Sequence, residues 1–78
     1  MTPEQQETYE QGRTYFEQGK LNDSLRCFLE LIKDNPYRFA DVHNKVGVIY
    51  HNKGILENAI VSFEKALRVN PSYTEAAI

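Results

Sequence analysis

The chain repeats itself at an interval of 35 residues, and this feature constrains its fold more than any other. Identical residues occur at positions i and i+35 in the same order in both copies, at Gly12/Gly47, Tyr15/Tyr50, Gly19/Gly54, Leu21/Leu56, Phe28/Phe63, Asn35/Asn70 and Pro36/Pro71. A period of this length is typical of repeat architectures. We therefore predict one domain, 1–78, made of two units at about 5–39 and 40–73, with 74–78 beginning a third.

Apolar residues within each unit recur with the spacing of an α-helix. In the second unit one helical set precedes Gly54 and another follows it, namely Val42, Val46, Ile49 and Tyr50, and then Leu56, Ile60, Phe63 and Leu67. Gly19 and Gly54 mark the turns, because a helix C-terminus favours a residue that tolerates positive φ. Thr2, Pro3 and Gln5 form the capping pattern of a helix start. We predict an all-α chain with helices at Pro3–Gln18, Asn22–Asp34, Arg38–Asn52 and Leu56–Val69.

The spaced residues of the second unit resemble the tetratricopeptide repeat. The family signature W-x₂-L-G-x₂-Y, A-x₃-F and P is met here by His43-x₂-Val46-Gly47-x₂-Tyr50, Ala59-x₃-Phe63 and Pro71. The first unit matches less closely, with Thr8-x₂-Gln11-Gly12-x₂-Tyr15, Ser24-x₃-Phe28 and Pro36. We expect Gly47 and Ala59 to let the two helices cross closely, and His43 to pack beneath the repeat in place of tryptophan. The resemblance implies an α-solenoid of two helix-turn-helix repeats.

Resemblance to this family implies a non-enzymatic scaffold that binds a protein or peptide in the concave groove lined by the first helix of each repeat. The expected groove residues are Tyr9, Arg13, Phe16, Asn44, Lys45, Val48, His51 and Asn52, accompanied by Gln6, Glu17 and Asp41. Tyr9 and Phe16 would bury an apolar side chain, while Arg13 and Lys45 would meet a carboxylate. We expect acidic or mixed-charge peptides; the alternative is that these residues are solvated helix faces.

One branch of the family clamps a C-terminal carboxylate with lysine, asparagine and arginine residues. The corresponding positions here are Tyr9, Arg13, Lys45 and Glu75, and the last clamp position lies beyond Ile78. Only Arg13 and Lys45 keep the charge that such a clamp needs. The resemblance therefore does not extend to this mode of binding.

The last complete helix carries an apolar edge that needs a cover. The residues 74–78 are too few to cover it, so we expect either a longer array whose next repeat packs there or a homodimer formed through the edge. The edge residues are Ile60, Leu67 and Val69. A structural module that self-associates through this edge is thus the alternative to a peptide-binding adaptor.

Composition argues against several other classes of protein. A net charge of −2 leaves no basic surplus for nucleic acid, and no apolar run approaches the ~20 residues of a membrane span. The first residues are acidic and polar, unlike those of a signal peptide. Cys27 is the one cysteine of the sequence, and a single unpaired cysteine fits the reducing cytoplasm. The sequence offers Cys27 no neighbouring base that could activate it as a nucleophile. His43 and His51 are eight residues apart, and the sequence identifies no third ligand with which they could bind a metal. We expect no metal, no cofactor and no enzymatic activity.

Overall fold

The computed structural model describes residues 2–33 and 38–71, and within these ranges the chain forms four α-helices and no strand. The helices are α1 (Pro3–Glu17), α2 (Leu21–Ile32), α3 (Ala40–Asn52) and α4 (Leu56–Val69). α1 packs on α2 and α3 packs on α4, so each repeat is a helical hairpin, and α2 joins the hairpins by packing on α3. The predicted all-α solenoid is confirmed.

The start of α1 follows from its first residues. Thr2 Oγ1 accepts a hydrogen bond from the Gln5 amide at 3.1 Å, and Gln5 Oε1 accepts one from the Thr2 amide at 2.9 Å. Pro3 occupies the first helical position, where it has no intrahelical hydrogen bond to lose. The predicted capping pattern is confirmed, and it satisfies two backbone donors that the helix itself leaves unpaired.

Both hairpin turns use the same backbone device. Gly19 has a φ of 76° and Gly54 a φ of 78°, as the sequence predicted for these two positions. The amides of the next residues, Lys20 and Ile55, donate to carbonyls five residues back, each at 2.9 Å. This pattern closes a helix while pairing its last carbonyls, and it turns the chain sharply into the second helix of each repeat.

The predicted helix bounds on either side of the connection between the repeats were Asp34 and Arg38. α3 begins at Ala40 and not at Arg38, because Phe39 takes a left-handed conformation, with φ 59° and ψ 63°, that cannot belong to a right-handed helix. α2 is helical to Ile32. Its predicted end at Asp34 lies outside the described residues, as does the predicted start of a third helix at 74–78.

Each hairpin closes on a contact between a glycine and a phenylalanine. A Cβ atom added at Gly12 would lie 2.8 Å from Phe28 Cε1, and one added at Gly47 would lie 2.5 Å from Phe63 Cε1. The predicted close crossing of the helices is confirmed, and the aromatic ring fills the space that the glycine leaves. In the first hairpin the buried Ser24 Oγ also donates to the Gly12 carbonyl at 2.7 Å.

The core lies between the hairpins. Phe28, Val42, Val46 and Ile49 are 0–2% exposed and pack together, with half-buried residues of α1 and α2 around them. His43 is 1% exposed, which confirms the prediction that it packs beneath the repeat. Among residues 2–33 and 38–71, no helix combines the length and the apolar character that crossing a membrane requires.

Candidate peptide-binding groove

A cleft of ≈ 330 Å³ lies between α1 and α3, the first helices of the two repeats. Its lining residues are Arg13, Phe16, Glu17, Phe28, Asn44, Lys45 and Val48. Five of the eight residues expected in the groove therefore lie around one cavity. The cleft combines apolar walls with two cations, a carboxylate and an amide, which is the composition of a surface that can hold both the side chains and the backbone of a peptide.

Phe28 reaches this cleft from α2, and the sequence analysis did not include it in the groove. Its ring fits because Gly12 has no side chain where the two helices cross. The side chain is 0% exposed, so it forms the closed inner wall of the cleft. The 35-residue pairing of Gly12 with Gly47 and of Phe28 with Phe63 contained the signal, but it was interpreted only as helix packing.

Tyr9, Asp41 and Lys45 form a polar cluster that spans α1 and α3. The Tyr9 hydroxyl donates a hydrogen bond to Asp41 Oδ2, and Lys45 Nζ lies 3.8 Å from Asp41 Oδ1 and 6.0 Å from the centre of the Tyr9 ring. Burial, together with the hydrogen bond to Asp41 and the charge of that carboxylate, raises the pKa of Tyr9 to about 12, although Arg13 opposes the rise. The phenol therefore remains protonated at neutral pH and joins the two repeats across the interface.

The Tyr9 ring also extends the apolar wall beyond the cleft. Its centre lies 5.8 Å from that of Phe28, with the two ring planes at 63°, an edge-to-face arrangement. Tyr9 and Phe16 are both half-buried. An apolar side chain in the cleft would meet Phe16 and Val48, with the buried Phe28 ring behind them and Tyr9 against that ring.

The polar residues of the cleft differ in what they already contact. Lys45 lies next to Asp41, whereas Arg13 is exposed and makes no ion pair with any residue in the described part of the chain. Asn44 is 7% exposed and lies inside the cleft. Arg13 is thus the cation that is available to an incoming carboxylate.

His51 and Asn52 do not line the cleft. Both are exposed in the last turn of α3. On the α1 side the lining residues nearest the C-terminus are Phe16 and Glu17, which are the equivalents of His51 and Asn52 in the 35-residue period. Because His51 and Asn52 follow Asn44 and Lys45 by seven residues, they share a face of α3 with them, and their place in the groove stays a prediction.

The residues expected at the C-terminal edge do not form one face. Ile60 is 57% exposed, and Leu67 and Val69 are half-buried. Val69 follows Ile60 by nine residues, which is two and a half helical turns, so it lies on the opposite side of α4. Leu56, at 56% exposed, adjoins Ile60 instead.

The remaining candidates for chemistry lie apart from the cleft. Cys27 is half-buried on α2, and burial raises the pKa of its thiol above the ordinary value, although Arg26 opposes the rise. The thiol therefore stays protonated at neutral pH, which makes it a weak nucleophile. His43 is buried while His51 is exposed, and no group of three metal-binding side chains occurs in the ranges 2–33 and 38–71.

Two stacked helical hairpins with a cleft between their first helices define an α-helical repeat protein. Residues 40–73 match the tetratricopeptide repeat, and residues 12–54 match the TPR repeat. The chain belongs to the tetratricopeptide repeat family, whose repeats are protein-interaction motifs.

A comparison with curated proteins adds one named relative. Over 59 residues, or 76% of this chain, the sequence is 41% identical to a protein of Solanum lycopersicum named probable UDP-N-acetylglucosamine–peptide N-acetylglucosaminyltransferase SPINDLY. The chain spans 6% of the length of that relative. The transferase activity in the name belongs to the larger protein and is not carried over to these 78 residues.

Proposed function

We propose that the chain is a non-enzymatic adaptor that binds a peptide segment of a partner protein in the cleft between α1 and α3. The observation that supports this most is the convergence of Arg13, Phe16, Asn44, Lys45 and Val48 on one cavity of ≈ 330 Å³. Such a cavity is at the lower end of the size range of ligand pockets, so it accommodates one or two side chains of a peptide that continues along the groove.

The partner peptide carries an apolar side chain next to an acidic one. Phe16 and Val48 supply the apolar surface of the cleft, backed by the buried Phe28, and Arg13, which is exposed, also lines it. A carboxylate that meets arginine in two parallel hydrogen bonds gains both affinity and orientation. The partner is a protein rather than nucleic acid, because the net charge of −2 opposes a phosphate backbone. The single Cys27 fits a reducing compartment such as the cytoplasm.

The test is a selection from a peptide library, followed by titration of the best binder into matched charge variants. Arg13→Glu combined with Lys45→Glu should weaken binding by about a hundredfold, because the contact with Arg13 becomes repulsive and a second carboxylate beside Asp41 adds to the repulsion. Lys65→Glu combined with Arg68→Glu changes the net charge equally on α4, away from the cleft, and should leave affinity unchanged. Equal affinity in all three proteins would contradict the proposal, as would a selection that yields no acidic peptide.

Self-association through the exposed face of α4 is the alternative function. Ile60 at 57% exposed supports it, while the half-buried state of Leu67 and Val69 limits the apolar area available. Light scattering over a hundredfold range of concentration distinguishes the two functions. A mass of two chains that persists on dilution and is lost in Leu67→Glu would favour the module over the adaptor.

A further inference from the structure

A second cavity, of ≈ 190 Å³, lies on the side of α3 opposite the cleft. We call it the α2–α4 notch, because these two helices form its rims while the buried His43 and Val46 of α3 form its floor. Among the residues that the structure describes, none lines both this notch and the cleft between α1 and α3. Sites for small molecules usually measure ~300–1,000 Å³, so the notch has room for one side chain of a partner rather than for a cofactor.

The rims of the α2–α4 notch are apolar where the other repeat is charged. Leu29 of α2 is 38% exposed, and Val61 of α4 is 48% exposed. In the 35-residue period the equivalent of Leu29 is Glu64, and the equivalent of Val61 is Arg26. Both of these charged residues are exposed in their own repeat. The repeat therefore accepts a charge at each position, and folding does not require the two apolar residues.

The charges beside the notch also differ between the repeats. In α2, Asp23 and Glu30 each form an ion pair with a cation three residues further on, at 2.7 Å and 3.0 Å. Their equivalents in α4 are Asn58 and Lys65, and both line the notch. Neither Lys65 nor the exposed Arg68, one turn further along α4, forms an ion pair with a residue that the structure describes. This edge of the notch therefore carries positive charge that is available to an acidic group.

The notch remains accessible whether or not a further repeat follows α4. The second repeat packs on α2, yet the side chain of Arg26 is 79% exposed. A repeat that packed on α4 in the same way would leave the equivalent residue, Val61, exposed as well. The α2–α4 notch is thus a surface of the two-repeat unit itself.

We propose that the α2–α4 notch binds one aromatic side chain of a partner protein, within a segment that carries Asp or Glu beside the aromatic residue. The ring would lie between Leu29 and Val61 and would contact the rings of His43 and Tyr50. Lys65 would meet an adjacent carboxylate at the edge of the notch. Because the notch and the cleft have separate linings, this binding does not depend on the proposed groove function.

The probe is the synthetic peptide Ser-Gly-Glu-Glu-Trp-Glu-Glu-Gly-Ser. The chain has no tryptophan, so tryptophan emission reports the surroundings of the probe alone. Titration with the full chain should shift the emission to shorter wavelength and should saturate at one peptide per chain. Val61→Arg should weaken binding at least about tenfold although it adds a cation, because it removes the apolar rim. Ile60→Arg adds the same charge about 100° away round α4 and should not weaken binding.

Val61→Arg introduces the residue that the first repeat carries at the equivalent position, so the variant should fold, and circular dichroism checks this. Lys65→Glu combined with Arg68→Glu should also weaken binding at least about tenfold. A second probe with lysine in place of each glutamate should bind this double variant more tightly than it binds the parent chain. Equal affinity of the lysine probe for both proteins would contradict the role of the cations.

Arg13→Glu, in the cleft, should leave binding of the glutamate probe unchanged. A loss in Arg13→Glu but not in Val61→Arg would mean that the probe binds in the cleft, and it would overturn the proposal. The absence of a saturable shift would do the same, as would equal affinity of Val61→Arg and Ile60→Arg. A mass of two chains that Val61→Arg abolishes would also overturn it, because a second copy would then occupy the notch.

Discussion

The ring of Phe63 occupies the space in which residue 47 would carry a Cβ atom. An alanine at position 47 would place that carbon 2.5 Å from Phe63 Cε1, well inside van der Waals contact. At Gly12 the equivalent distance to Phe28 is 2.8 Å, so both repeats are assembled around a glycine in the middle of a helix. Glycine there lowers helix propensity, and the close packing of the ring compensates for it.

Gly47→Ala should destabilise the protein by about 1–3 kcal/mol, although alanine favours the helix, because overpacking outweighs propensity. Gly12→Ala should have a smaller effect, since its contact is longer. Urea denaturation followed by circular dichroism measures both. Adding Phe63→Leu to Gly47→Ala should recover part of the loss, and strict additivity of the two substitutions would show that the contact is not the cause.

Phe39 should tolerate glycine better than alanine. Its φ of 59° is strained for any residue with a side chain, while its ring packs on the core cluster and lies 5.0 Å from the Arg38 guanidinium. Both Phe39→Gly and Phe39→Ala lose the ring, but only glycine relieves the backbone, so the glycine variant should be more stable by about 1 kcal/mol. Thermal unfolding of Phe39→Gly and Phe39→Ala measures the difference in stability. A more stable Phe39→Ala variant would contradict the left-handed conformation of residue 39.

Ser24→Ala should destabilise the protein by about 1 kcal/mol. The variant removes the buried hydrogen bond from Ser24 Oγ to the Gly12 carbonyl, 2.7 Å long, without steric change. The second repeat provides the control, because Ala59 occupies the same place in the 35-residue period and is 2% exposed. Ala59→Ser should therefore be tolerated if its hydroxyl reaches the Gly47 carbonyl. Equal stability of Ser24→Ala and the parent chain in urea would refute the prediction.

The stability of the protein should fall between pH 10 and pH 12 in a way that depends on Tyr9. Its pKa is raised from 10.0 to about 12 in the folded chain, chiefly by burial and then by Asp41. Since the folded state holds the proton more tightly, this contribution is complete below pH 10 and is lost as the pH rises through 12. Tyr9→Phe should remove a step near pH 12 from the ultraviolet titration of the phenols. A titration curve that Tyr9→Phe leaves unchanged near pH 12 would contradict the raised pKa of Tyr9.

The turns and the helix pattern could be predicted because they depend on single residues and local spacing. Gly19 and Gly54 have the positive φ that their position after a helix implied. Phe39 could not be predicted in the same way, because a left-handed aromatic residue is held by its surroundings and carries no glycine signal. Because of this left-handed residue, α3 begins at Ala40 and not at the predicted Arg38.

The lining of the cleft could be predicted in part from the sequence. Helical periodicity indicates which residues share a face, so Arg13, Phe16, Asn44, Lys45 and Val48 could be grouped before the structure was known. It does not indicate how far along α3 the cleft extends, and His51 and Asn52 lie outside its lining although they share the helix face of Asn44 and Lys45. It also does not show how far a side chain from another helix reaches, which is why Phe28 was missed.

The hydrogen bond between Lys53 and Asn22 has a consequence for motion. α1 belongs to one hairpin and α3 to the other. The width of the cleft therefore depends on the angle between the two hairpins, which pack together through α2 and α3. The hydrogen bond from Lys53 joins the C-terminus of α3 to the start of α2. The hydrogen bond from Tyr9 joins α1 to Asp41 at the N-terminus of α3. These two hydrogen bonds lie at opposite ends of α3. They join the two hairpins at both ends of the α2–α3 contact, so a ligand that displaces Tyr9 from Asp41 would leave the hairpins freer to move at that end.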